Sequence, residues 1–151
     1  MIVRPARPAQ ASIAVAILLA VAGCTQKVVA PPPPPTILAV PDSIQEVFTQ
    51  NCAFDGCHAG PTPQEGQDLS DAITSYAHIV GVASNEQPAF RRIAPGDSAN
   101  SYIVMKLRDD PRKSGQPMPF GAYPLDAALT KRIAAWAQQG APGVPALVAR
   151  R

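Results

Sequence analysis

The segment NCAFDGCHAG, residues 51–60, places two thiols and an imidazole close together as Cys52, Cys57 and His58. Thiols, imidazoles and thioethers bind soft or borderline metal ions, and paired thiols also oxidise to a disulfide. Three chemistries fit the group. The C-x-x-C-H pattern of covalent haem attachment has two residues between its thiols, and here Ala53, Phe54, Asp55 and Gly56 stand between them. A disulfide between Cys52 and Cys57 would close a small loop. A zinc site would need a fourth ligand that the spacing does not supply. Downstream, QPMPF sets Met118 between Pro117 and Pro119, where stiffened backbone suits a thioether ligand. Met105 and His78 are the other candidate ligands. Met105 sits among core-type residues, where methionine is a packing residue, and His78 follows His58 closely and reads as a structural or surface histidine.

The compartment bears on this choice. Arg4 and Arg7 precede an apolar stretch, residues 11–23, too short to span a bilayer comfortably. It ends in LAVAGC, and small residues directly before Cys24 resemble the lipobox of bacterial lipoproteins. That resemblance implies a signal peptide over residues 1–23 and a lipidated Cys24. The protein is then expected at the bacterial cell envelope, anchored in the membrane and facing the periplasm or the outside, with the outer membrane favoured. Only Cys52 and Cys57 remain as thiols, in a compartment where thiols are oxidised or covalently used. Residues 24–41 read as a tether, because the prolines Pro31 to Pro35 favour an extended polyproline helix. Without Arg4 and Arg7 the basic residues fall from 13 to 11 and equal the 11 acidic ones. A neutral chain without a basic patch argues against a nucleic-acid partner.

One domain is expected over residues 42–145, followed by a tail over 146–151. The fold class is all-α, about four helices joined by long loops rich in proline and glycine. The first helix runs from Ser43 to about Cys52, with Ser43 and Glu46 at capping-box spacing and Ile44, Val47 and Phe48 on one face. The second spans about 71–79, with Ile73, Tyr76 and Ala77 on one side and Gly81 as its stop. The third spans about 99–107 after Asp97 or Ser98 as N-cap. The fourth runs from about Leu125 to Gln139, with Leu125, Leu129, Ile133 and Trp136 on one face and Gly140 as its stop. No stretch alternates as a strand. Loops 59–68, 82–97 and 109–124 are long enough to wrap something. Only 5% of residues are aromatic, so a core this poor in large rings would gain from a bound apolar cofactor.

In this order of parts the chain resembles the small c-type cytochromes over roughly residues 43–142. The parts are a helix leading into Cys52, then Cys57–His58, a late Met118–Pro119 loop, and a closing helix ending WAQQGAP. The phrase RIAPGDSANSYIVMKL, residues 92–107, resembles one recurrent in bacterial extracytoplasmic cytochrome-c-like domains. The resemblance implies a cytochrome-c-like bundle with one covalent haem c, thioethers at Cys52 and Cys57, and iron ligated by His58 and Met118. It implies electron transfer with redox partner proteins at the envelope, in a carrier rather than an enzyme. The longer cysteine gap departs from the common motif, and Gly56 gives the backbone freedom to loop the extra residues out. A haem-free interaction module with a Cys52–Cys57 disulfide stays open beside this reading. So does a haem protein with an open iron face, used for sensing or peroxide chemistry.

Overall fold

The computed structural model describes residues 35–121 and 124–146. The signal segment, Cys24, the prolines Pro31 to Pro34 and the tail beyond Ala146 lie outside the described residues. The described chain is predominantly helical, with one small two-stranded sheet.

α1 (Asp42–Asn51) turns Ile44, Val47 and Phe48 inward, as their spacing predicts. The capping box does not form. The Pro41 carbonyl accepts from the Ile44 and Gln45 N–H groups at 2.8 and 3.0 Å, so the helix begins one residue early and Ser43 lies inside it. Asp42 instead puts its carboxylate in the first turn, where the helix dipole favours negative charge.

α2 (Ala72–Ile79) is capped by Asp71, which accepts from the Ile73 and Thr74 N–H groups at 2.9 and 3.0 Å. Its buried face differs from the expected one. Ile73 is 41% exposed, and Ser75 and Ile79 point inward. The Ser75 hydroxyl donates to Gln45 Oε1 at 2.8 Å, and Gln45 Nε2 donates to the Leu69 carbonyl at 2.9 Å. A buried hydroxyl costs little once it is hydrogen-bonded, and its partner comes from another helix.

The single helix expected over 99–107 is two pieces. Asp97 caps a 3-10 turn, Ser98–Asn100, and α3 (Tyr102–Leu107) follows. Ser101 separates them with extended backbone. Its buried hydroxyl accepts from the Ala94 N–H at 2.9 Å and donates to the Asp97 carbonyl at 2.9 Å. The first N–H groups of α3, from Tyr102 and Ile103, go to the carbonyls of Arg91 and Arg92 rather than into a longer helix.

α4 (Ala127–Gln138) starts at the Asp126 cap, so Leu125 packs just before the helix rather than within it. Ile133, Trp136 and Ala137 are buried, and the indole N–H donates to the Pro142 carbonyl at 3.1 Å. Gly140 ends the helix at φ +94°, a left-handed conformation that glycine adopts freely. α4 packs against α1 and α3. Gly96 also docks on it. Its N–H donates to the Ala137 carbonyl at 2.9 Å, and Gln138 Nε2 donates to the Gly96 carbonyl at 2.8 Å. The RIAPGD segment is thereby fixed across the end of α4.

The strands were not expected. β1 (Leu38–Ala39) pairs antiparallel with β2 (Val144–Pro145). Ala39 and Val40 are buried, so the folded part starts several residues before the expected boundary between tether and domain. Gly143 permits the close approach: a Cβ there would stand 2.7 Å from the Tyr76 ring and 2.9 Å from Leu38 Cβ. Two-residue strands carry no period for a pattern to reveal, and their pairing joins the two ends of the domain. Among the described residues no helix is long and apolar enough to cross a membrane.

Candidate functional site

α1 delivers the first thiol. The N–H groups of Cys52 and Ala53 both donate to the Phe48 carbonyl at 2.8 Å, which ends the helix at the cysteine. The residues between the thiols then close on themselves. The Phe54 carbonyl accepts from the Cys57 and Ala59 N–H groups at 3.0 and 3.2 Å, and the Cys52 carbonyl accepts from the His58 N–H at 3.2 Å. Gly56 stands at φ +78° within this turn, a left-handed conformation that glycine adopts freely. Both thiols are unbridged. Burial, helped by the neighbouring Cys57, pushes the Cys52 thiol up to about 11, which keeps it protonated at neutral pH.

His58 is half-buried, and its Nδ1 lies 3.2 Å from the Gln67 carbonyl. A carbonyl only accepts, so Nδ1 carries the proton and Nε2 keeps the lone pair. Burial lowers the affinity of the ring for a second proton, and hydrogen bonds to backbone oppose this only in part. The His58 carbonyl accepts from the Leu69 N–H at 2.8 Å. Residues 64–69 thus form a strap held to His58 from both ring and backbone. An orienting carbonyl on one imidazole nitrogen is the usual companion of a metal bond at the other.

Met118 comes from the far end of the chain. Its N–H donates to the Lys106 carbonyl at 3.0 Å, which ties its loop to α3. Cys52, Cys57, His58 and Met118 all line one cavity of roughly 620 Å³. Phe48, Leu69, Ile103, Leu107 and Ile133 supply its apolar wall. Phe54 and Phe120, 51% and 72% exposed, line it where it meets solvent. Neither Met105 nor His78 reaches it. Met105 is 1% exposed within the core, and His78 Nδ1 lies within 3.2 Å of the Asp68 N–H and the Gly66 carbonyl. Trp136 also lies off the wall, in the core.

The wall carries two cations that sequence reasoning passed over, Arg92 and Lys106, each 5% exposed. Lys106 Nζ pairs with Glu86 at 2.8 Å, donates to the Ser114 carbonyl at 2.9 Å, and sits 5.8 Å from the centre of the Tyr102 ring. The only sequence signal for Arg92 was its place at the head of RIAPGD. Lys106 stands next to the end of the same phrase, RIAPGDSANSYIVMKL.

A cavity of this size lies within the range of small-molecule and cofactor sites, which are concave and mostly apolar. Among the described residues no three His, Cys, Asp or Glu side chains converge on a bare metal ion. A haem brings its iron and four equatorial nitrogens with it, so a chain need offer only an apolar slot, two axial donors and, for covalent attachment, two thiols. The wall offers an imidazole with its Nδ1 engaged, a thioether and two unbridged thiols, and this donor set fits that group. Comparison with protein-family models, curated proteins and solved structures returned no match to this chain.

Proposed function

We propose that this protein is a lipid-anchored, monohaem electron carrier of cytochrome-c-like fold at the bacterial cell envelope. One observation carries the reading: two thiols, an imidazole with its Nδ1 engaged, and a thioether sixty residues further on line a single cavity. The packing of the first long helix, α1, against the last, α4, supports the cytochrome-like bundle. Cys52 and Cys57 would hold one haem c through thioethers, and His58 Nε2 and Met118 sulfur would hold its iron. Bound there, the group would supply one-electron redox chemistry between a reduced and an oxidised partner protein. The chain fixes the two ligands, keeps water off the apolar wall, and sets the potential through burial and the bond to His58 Nδ1.

Protein made in a host with a working haem-attachment system tests this by intact mass after denaturation. The expected mass exceeds that of the chain by one haem, with a low-spin c-type spectrum. A mass lower by two hydrogens and no haem absorbance would make the protein a disulfide-closed interaction module instead.

The anchor is proposed from LAVAGC. Cys24 is the mature N-terminus and carries the lipid, since more than one acyl chain is needed for stable membrane attachment. The Cys24→Ser protein is expected in the soluble fraction. Its retention in membranes at the wild-type level would refute the lipoprotein assignment.

A further inference from the structure

Arg92 is one of the two buried cations on the cavity wall that the proposed function does not use, and the one without a carboxylate partner among the described residues. Its backbone is fixed, with the N–H donating to the Val82 carbonyl at 2.7 Å and the carbonyl accepting from the Ile103 N–H at 3.0 Å. Among the described residues no carboxylate pairs with its guanidinium. The fork is spent on backbone. Nη1 donates to the His78 carbonyl at 2.8 Å and to the Gly66 carbonyl at 3.2 Å, and Nη2 donates to the Glu65 carbonyl at 2.5 Å. The His78 carbonyl lies in the last turn of α2, where the helix dipole favours a cation. The other two belong to the strap.

That strap does not lie in a relaxed conformation. Glu65 and Gly66 both have positive φ, +55° and +61°. A non-glycine residue in the left-handed region persists only where its surroundings hold it. Arg92 supplies two of the holding bonds, and Asn85 Nδ2 adds another to the Glu65 carbonyl at 2.6 Å. The next carbonyl along, from Gln67, is the one that meets His58 Nδ1.

We infer that Arg92 is a positioning residue: by holding the Glu65 and Gly66 carbonyls against the end of α2, it aims the Gln67 carbonyl at His58 and keeps the ring proton on Nδ1. The consequence for iron rests on the reading of His58 as its ligand. The consequence for the ring does not. A lysine at this position keeps the charge but has no planar fork to span three carbonyls, so charge and positioning separate in Arg92→Lys.

The test is nitrogen-15 NMR of the His58 ring in the full chain, in the reduced diamagnetic state if haem is present and directly if it is not. Wild type is expected to show one Nδ1–H signal in slow exchange with solvent. In Arg92→Lys that proton is expected to exchange about tenfold faster, the scale of one lost neutral hydrogen bond. Where haem is bound, the reduction potential also moves although the charge is conserved. An Nδ1–H signal and exchange rate unchanged in Arg92→Lys would overturn the inference and leave Arg92 a charge on the wall. Should that variant not fold, Gly66→Ala decides the matter. A Cβ there meets only Asn85 Nδ2, at 3.8 Å, and its strain falls on the carbonyl that Arg92 holds. Faster Nδ1–H exchange in Gly66→Ala supports the role, and wild-type exchange overturns it. A haem-free mass would remove the electron-carrier reading without touching this result.

Discussion

Replacing both thiols, Cys52→Ala with Cys57→Ala, is expected to abolish all haem that survives denaturation and to leave a chain with less helix and a lower thermal midpoint. The size of the cavity sets the scale. A dry void of roughly 620 Å³ would cost on the order of 15 kcal/mol, at ~24 cal/mol per Å³. That is an upper limit, because the exposed Cys57 and Phe120 on the wall let solvent in. Even a fraction of it is large beside a typical domain stability of about 5–15 kcal/mol. The apolar wall residues that would lose their packing partner are Phe48, Ile103, Leu107 and Ile133, and they come from α1, α3 and α4. Haem bound only by the native state adds its binding energy to stability, so its loss should loosen those three helices together. Circular dichroism and a denaturing gel stained for haem measure both halves of the expectation. A double variant with the helix content and melting of a haem-loaded wild type would show that the core does not depend on the cofactor.

The second large effect separates two methionines. Met118→Ala is expected to open the iron's sixth position to carbon monoxide or cyanide and to lower the reduction potential, because a thioether sulfur favours reduced iron. The cost to the fold should be small, since Met118 is only half-buried and its N–H bond to Lys106 belongs to the backbone. Met105→Ala should do the reverse. Met105 is 1% exposed and off the cavity wall, so its truncation should cost ~2–5 kcal/mol of stability and leave the ligands alone. The near-infrared sulfur-to-iron charge-transfer band reports the ligand, and chemical denaturation reports the packing. A band that persists in Met118→Ala and disappears in Met105→Ala would move the ligand to α3. Ready binding of carbon monoxide by wild type would mean an open iron face, and sensing or peroxide chemistry would replace electron transfer.

By itself the sequence determined those features whose causes lie within a few residues. The buried stripe of α1 follows from Ile44, Val47 and Phe48, and that of α4 from Ile133 and Trp136, because a helix repeats every 3.6 residues whatever surrounds it. The stops at Gly81 and Gly140, and the turn at Gly56, follow from glycine's access to positive φ. The sequence also singled out Cys52, Cys57, His58 and Met118 as candidate ligands, by side-chain chemistry and by likeness.

Tertiary structure decided what depends on a distant partner. Ser75 is buried in place of Ile73 because Gln45, thirty residues earlier, accepts its hydroxyl. Ser101 breaks the third helix because its hydroxyl bonds the backbone of Ala94 and Asp97. Leu38–Ala39 became strand because Val144–Pro145 lies beside it. The cavity wall takes in Met118 and leaves out Met105 and His78, and only the strap across Arg92 gives that arginine a task. Each outcome turns on whether a buried polar group or a free backbone edge finds its partner, and a polar group's cost is set by that partner rather than by its neighbours in sequence.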